Sequence, residues 1–386
     1  MKQQQAVIVA YGRSAYGKAR KGGFADIHPV EYGAQVLKGV LNKLPQLPAE
    51  QIDDVIVGCA LPYGVSSYNI AKVLVQRAQL PDSIPAMSIN RFCASGMQAI
   101  SLAANAIRAG EADVIVAGGV ESMSMVSTAL DPTTCDPWLM ENRPGVYLPM
   151  GLTAENVAEQ YGITRTEMDE LAAQSHQKAA QAQAAGWFED QIIPVEVCHA
   201  DGRCEVVARD EGIRPGTTPE TLANLKPAFK PDGSVTAGNS SQMTDGAGFV
   251  VVMSQEKAQR LGIRPLARIV GCVSAGVPAE IMGMGPTTAV PKLMQRTGMN
   301  LDQMDVIELN EAFASQTAAC IRELKLDANK INPMGGAMAL GHPLGASGTM
   351  LVCKALSWLE RHQKQYALVT MCVGGGQGSA GIFERL

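Results

Sequence analysis

The stretch INRFCASGMQ, Ile89 to Gln98, returns 252 residues later as ALGHPLGASGTM, Ala339 to Met350, so that Ser95-Gly96 answers Ser347-Gly348 and Asn90 answers His342. The pairing predicts one supersecondary unit built twice, with different reactive side chains, Cys93 and His342, in equivalent turns. Upstream, Gln51-Ile52-Asp53-Asp54-Val55-Ile56 leads into Cys59-Ala60 as Asp302-Gln303-Met304-Asp305-Val306-Ile307 leads into Asn310-Glu311-Ala312. Downstream, Asp113–Gly119 resembles Ala367–Gly375. Landmarks that recur in the same order argue for internal duplication.

Outward from that echo, short apolar runs rich in Val and Ile (Ala6–Val9, Val55–Val57, Val114–Ala117, Val306–Leu309, Ala367–Met371) alternate with longer amphipathic stretches. The alternation predicts an α/β chain with a buried, largely parallel sheet in each half. From Ala94 to Arg108 the apolar positions 97, 100, 104 and 107 have a helical period, and Gly110 ends it. Cys93 is thereby expected at a strand-to-helix junction. The counterpart helix spans about Ser347 to Arg361.

The second copy closes with Ala367–Cys372, a glycine turn at 374–378 and a last strand, Ser379–Phe383; Gly246–Val251 is the equivalent strand of the first copy. Some 125 residues separate the first copy's strands where the second has a five-residue turn, so an insertion of about 120–245 is expected to open the hairpin. Inside it, Thr164-x-x-Glu167 fits a capping box before an Ala/Gln-rich helix. The loop-rich stretch from His199 to Asp245 is of a length that is usually functional. The expected division is residues 1–119 with 246–270 as one half, 120–245 as an inserted loop domain, and 271–386 as the other half.

A length of 386 residues exceeds what one core usually organises. Hydrophobic residues at 46% and charged residues at 18% describe a well-buried globular protein. A net charge of −5 leaves no electrostatic footprint for nucleic acid. No apolar stretch approaches a membrane span, and the N-terminus shows no signal-peptide pattern. Nine dispersed cysteines without a CxxC pair indicate neither a disulfide framework nor a zinc site, and a reducing cytoplasm is the expected location.

Four segments carry chemistry. Cys93 precedes Ala94, Ser95 and Gly96 at a helix start, where open backbone N–H groups favour a thiolate. His342, one of five histidines, is flanked by Gly341 and Pro343 in a loop that can aim its ring. Cys372 ends a buried strand before Val373-Gly374-Gly375-Gly376-Gln377-Gly378, whose glycines can present N–H groups as an oxyanion hole. Asn310 follows the Val306–Leu309 strand, where its amide can hold an oxyanion, a water or a helix N-terminus. The letters GxGxxG over Gly376–Gly381 are discounted: the chain ends five residues later, leaving no room for a dinucleotide-binding helix.

Together Asn90–Gly96, Asn310-Glu311-Ala312-Phe313, Gly335–Gly345 and Cys372–Gly378 resemble the thiolases, which cleave or form 3-ketoacyl-CoA. Gly151-x-Thr153-Ala154-Glu155-Asn156 and Ala237–Ser241 extend the similarity through essentially the whole chain. The resemblance implies duplicated α/β halves packed as a layered αβαβα core with an inserted loop domain. It implies Cys93 as the acyl-carrying nucleophile, His342 as the group that activates it, and Cys372 as acid and base. One oxyanion hole would use the N–H groups of Cys93 and Gly374; another would use His342 and a water on Asn310. For CoA and acyl binding it implies Arg214, Leu225, Phe229, Ala237, Ser241, Met282 and Phe313, although the stretch from His199 to Asp245 has five Lys and Arg against seven acidic residues. The implied partners are acyl-CoA and CoA, with no metal or organic cofactor, in a homodimer or homotetramer; residues 122–147 resemble a tetramerisation loop.

In thiolases that make acetoacetyl-CoA a histidine usually precedes the Met-Gly of this motif. Here Pro149 precedes Met150-Gly151, which resembles the degradative 3-ketoacyl-CoA enzymes and implies tolerance of longer acyl chains. Related ketoacyl synthases carry a histidine where Cys372 stands, and a non-catalytic lipid-binding homologue is expected to lack at least one of Cys93, His342 and Cys372.

Overall fold

The computed structural model describes residues 4–386. The first half runs β1 (Ala6–Arg13), β2 (Gly17–Lys18), α1 (Pro29–Leu41), β3 (Asp54–Gly58), α2 (Ile70–Arg77), β4 (Ala86–Ile89), α3 (Ser95–Ala109) and β5 (Val114–Glu121). Between β5 and β8 (Thr244–Ser254) come α4 (Pro137–Asn142), α5 (Met150–Tyr161), α6 (Arg165–Ala184), the hairpin of β6 (Val195–Cys198) and β7 (Cys204–Val207), and α7 (Pro219–Ala223). After β8 follow α8 (Gln255–Leu261), β9 (Ala267–Gly276), α9 (Gly285–Thr297), β10 (Val306–Leu309), α10 (Ala314–Leu324), α11 (Leu344–His362), β11 (Tyr366–Val373) and β12 (Gln377–Arg385). Thr164 and Glu167 form the expected capping box of α6. Gly110, at φ 77°, ends α3 in the left-handed region that a side chain would strain.

The strands line up as β10-β11-β12-β9-β1-β8-β5-β3-β4. Only Val7↔Arg268 and Ile8↔Ala267 pair across β1 and β9, so two sheets meet at a narrow seam. Alternate residues face different layers: Val55 and Val57 pack with α1 and α2, while Ile56 packs with α3 and α11. In the second half Val306 faces α3 and α11, whereas Ile307 and Leu309 face α9 and α10. Helices, sheet, central helices, sheet and helices thus stack in five layers, with α3 and α11 sandwiched between the sheets. Such strands are covered on both faces, which is why they read as continuous apolar runs.

The expectation of largely parallel sheets is overturned. β3 pairs in parallel with β4 and β5, and β10 with β11, but β1, β5, β8, β9, β11 and β12 are linked by antiparallel pairs. A buried apolar run looks the same in either direction. The short turn at 374–376 is the local signal, because so brief a connection joins only antiparallel neighbours.

The two echoed turns meet where α3 and α11 cross. A Cβ on Gly96 would lie 2.9 Å from Thr349 N and 3.0 Å from Gly345 O, and one on Gly348 would lie 2.5 Å from Met97 N. Gly96 and Gly348 are equivalent in the duplication, as are Met97 and Thr349, so each helix start is pressed into the other at its glycine. Glu121, buried at the end of β5, binds both copies: its carboxylate accepts from Ala60 N (2.8 Å) and Leu61 N (3.2 Å) of the first and Gly345 N (2.8 Å) of the second.

The segment from 199 to 245 is anchored by charge as well as by packing. Arg13 of β1 donates to both carboxylate oxygens of Asp210 at 2.8 and 2.9 Å, with both side chains fully buried. Asp210 also accepts from Tyr16 N, so the pair is hydrogen-bonded beyond itself, the condition under which a buried ion pair is tolerated. One cysteine expectation is corrected here. Cys198 and Cys204 face each other across the β6–β7 hairpin and form a disulfide. Their pairing follows from strand register, which cysteine spacing does not reveal. Among the described residues no helix is long and apolar enough to cross a membrane.

Candidate active site

Cys93 lies in a short 3-10 turn, Phe92–Ala94, that feeds directly into α3. Asn90 Oδ1 accepts from Phe92 N (2.7 Å), and Ser95 Oγ accepts from Arg91 N (2.8 Å) while donating to Phe92 O. These bonds hold Phe92 at φ 43° and turn the cysteine toward the second half. There the Gly374 N–H faces the Cys93 sulfur and draws the thiol's pKa down, but burial dominates and pushes it up to about 11. Phe92 packs over the same turn, its ring 3.5 Å from where a Gly374 Cβ would sit.

Cys372, at the end of β11, is buried beside Cys93, and burial together with that neighbour raises its thiol well above the usual range. Gly375 and Gly376 follow at φ 75° and 85°, backbone that lets the turn fold back on the cysteines. A Cβ on Gly376 would also strike the backbone of residues 277–279. The discounted GxGxxG letters lie partly in this turn and otherwise in β12.

His342 is 4% exposed, and burial lowers its pKa to about 4, so the ring is neutral at pH 7. Its Nδ1 lies 2.6 Å from Ser347 Oγ and its Nε2 lies 3.4 Å from Asn310 Nδ2. Asn310 does not cap a helix: α10 starts at Ala314, with Phe313 as the preceding residue. Its amide is committed to the histidine instead. No hydrogen bond joins His342 to Cys93 among the described residues. The loop bearing the histidine is fixed by Lys354, fully buried, whose ammonium pairs with Glu308 (2.9 Å) and donates to Gly335 O.

The residues expected to hold substrate form a strip leading to these groups. Ser240 pairs with Phe313 in an isolated bridge, and Ser241 N donates to Ala312 O (2.9 Å). Phe313 meets the Phe229 ring edge to face at 6.0 Å, and Phe229 covers Gly151, where any Cβ would enter the ring. Leu225 packs on Gly238 beside Ala237. Leu225 and Phe229 remain 39% and 42% exposed, an apolar ledge open to a ligand. Arg214 is exposed, and its guanidinium donates to Gln242 Oε1 (3.3 Å); Gln242 O in turn receives His342 N (2.9 Å). Met282 is buried with Phe313 and Cys372 in one apolar cluster, so it is wall rather than open surface.

Sequence reasoning assigned no chemistry to Ser347, Glu121 or Gln242. The echo contained a signal for Ser347, since it matches Ser95, but that match suggested only a turn. No group of three His, Cys, Asp or Glu residues able to hold a metal occurs among the described residues. The site offers two neighbouring thiols, one of them facing a glycine N–H, and a neutral imidazole held against an amide, a set suited to acyl transfer.

Models of the thiolase N-terminal and C-terminal domains match residues 6–256 and 263–385. The chain is 44% identical over 389 residues to the 3-ketoacyl-CoA thiolase of Bacillus subtilis (strain 168), covering 99% of both chains. It is also 44% identical over 395 residues to the acetyl-CoA acetyltransferase of Allochromatium vinosum, covering 99% of this chain and 100% of that one. The crystal structure of the dimeric peroxisomal thiolase of Saccharomyces cerevisiae superimposes with a TM-score of 0.93 at 38% identity, covering 100% of this chain and 98% of that one.

Proposed function

The chain belongs to the thiolase family of acyltransferases, and on that premise we propose that it is a 3-ketoacyl-CoA thiolase that forms an acyl-cysteine on Cys93. The observation that supports this reading is the meeting of Cys93, which faces the Gly374 N–H, with Cys372, while His342 comes from the other echoed turn and Asn310 from the end of β10. In cleavage, His342 Nε2 takes the Cys93 thiol proton as the sulfur attacks the keto carbon of 3-ketoacyl-CoA. The bond between the keto carbon and the α-carbon breaks, and Cys372 protonates the departing acetyl-CoA carbanion. CoA thiol then attacks the acyl-cysteine and gives its proton to the Cys372 thiolate. The released Cys93 sulfur recovers its proton from His342.

The N–H groups of Cys93 and Gly374 form one oxyanion hole in this reading, and His342 with a water on Asn310 forms the other. Arg214, Leu225, Phe229, Ala237 and Ser241 hold CoA, while Met282 and Phe313 line the acyl side. No metal or organic cofactor enters the chemistry, and the active form is a homodimer or homotetramer. Pro149, at the entrance to α5, and the Phe229–Phe313 pair favour apolar acyl chains longer than acetyl. A Cys93→Ala variant is expected to lose acetyl-CoA release and to show no acyl adduct by mass spectrometry, whereas the wild type shows one on Cys93. Normal turnover by the variant refutes the assignment. The second reading, an acetoacetyl-CoA thiolase, rests on the equal identity to the Allochromatium enzyme. It is favoured if acetoacetyl-CoA is cleaved far faster than medium-chain 3-ketoacyl-CoA.

A further inference from the structure

Ser347 and Ser95 hold equivalent places in the two copies, yet they do different things. Ser95 Oγ is occupied by backbone: it accepts from Arg91 N and donates to Phe92 O. The residue equivalent to Arg91 in the second copy is Pro343, and proline has no N–H to offer. The Ser347 hydroxyl is consequently free of that duty. It lies 2.6 Å from His342 Nδ1 and makes no other hydrogen bond among the described residues, although Ser347 is only 2% exposed. The side chain equivalent to Asn90, which ties down its own turn, is the imidazole itself.

We propose that Ser347 is a positioning residue for acyl transfer: its hydroxyl accepts from and donates to His342 Nδ1, so that Nε2 can serve in turn as proton acceptor and proton donor. The inference rests on the thiolase reading. With the Asn310 amide nitrogen toward Nε2, the resting neutral ring carries its proton on Nδ1 and donates it to Ser347 Oγ. Nε2 is then unprotonated, and it takes the proton of Cys93 when the Asn310 amide, 3.4 Å away, yields its place. Once it has done so both nitrogens bear hydrogen, and Ser347 Oγ is the acceptor that keeps buried Nδ1–H satisfied. When the proton sits on Nε2 alone, as a donor to a substrate oxygen requires, Ser347 rotates its O–H and donates to Nδ1. A hydroxyl can do both, and the partner on one ring nitrogen sets the role of the other.

Ser347→Ala removes only this oxygen. Leaving a buried Nδ1–H without an acceptor is expected to lower kcat about 10- to 100-fold, with KM within about twofold of wild type because no substrate contact is lost. The melting temperature is expected to stay near that of the wild type. Two readouts need no turnover. Iodoacetamide labelling of Cys93 should slow in Ser347→Ala. The histidine ¹⁵N spectrum, with His342 assigned through its loss in His342→Asn, should show an Nδ1-protonated ring in the wild type and an Nε2-protonated ring in Ser347→Ala. An unchanged kcat, or the same tautomer in both proteins, overturns the proposal. A wild type that releases no acetyl-CoA from any 3-ketoacyl-CoA refutes the thiolase reading instead, while the tautomer comparison still decides the role of Ser347.

Discussion

At Cys93 two influences on one sulfur compete, and their outcome decides the resting state of the site. A helix start and the Gly374 N–H favour thiolate, as the residues around Cys93 suggest, but burial outweighs them and holds the thiol near 11. His342 is moved the other way, to about 4, by burial. At pH 7 the resting site therefore holds a neutral thiol and a neutral imidazole, not a thiolate and an imidazolium. On the proposed role of Cys93 as nucleophile, a charge separation that awaits substrate would protect it from adventitious electrophiles, because the thiolate is the reactive form. Iodoacetamide labelling of Cys93 in the free enzyme is accordingly expected to keep rising with pH toward about 11. An ordinary cysteine levels off above roughly 8.5. A rate already level at neutral pH would mean that an ion pair exists before substrate arrives.

The elements that bring this pair together are the starts of α3 and α11, and their closeness is written in glycine. Gly96→Ala puts a Cβ 2.9 Å from Thr349 N and 3.0 Å from Gly345 O; both are backbone atoms that cannot swing aside. The substitution is expected to cost about 1–3 kcal/mol of stability in urea denaturation. Because the strain displaces the loop bearing His342, it should also lower kcat in the protein that remains folded. A Gly96→Ala enzyme with wild-type stability and kcat would show that the crossing is slack. The duplication behind this crossing was legible in the sequence as the answering Ser-Gly turns, and so were the α3 boundary at Gly110 and the capping box at Thr164. Strand direction was not, because burial on both faces erases the alternation that orients a strand. Nor was the Cys198–Cys204 disulfide, which depends on hairpin register, or the bond from Ser347 to His342, which only the folded turn creates.

Over the whole molecule, the layered architecture surrounds four of its thiols with protein rather than water. Cys59, Cys320, Cys353 and Cys372 are buried and free; burial moves Cys320 and Cys353 up to about 12, and Cys59 and Cys372 are raised too. An unfolded cysteine ionises near 8.5. Between that value and about 12 the unfolded chain loses protons that the folded chain retains, so the folded state binds more protons and stability falls as pH rises. The contribution of these thiols is fully present below about pH 8.5 and is lost as pH climbs toward the folded values, by about 1.4 kcal/mol per pH unit for each thiol. Four such groups make alkaline conditions costly for this fold while leaving its stability near neutral pH untouched by them. Urea denaturation under reducing conditions is expected to give a midpoint that declines steeply from pH 8.5 to 10. In a Cys320→Ala, Cys353→Ala double variant, stability should fall less steeply with pH, even if the cavities lower the midpoint throughout. Equal slopes in the two proteins would remove the buried thiols as the cause.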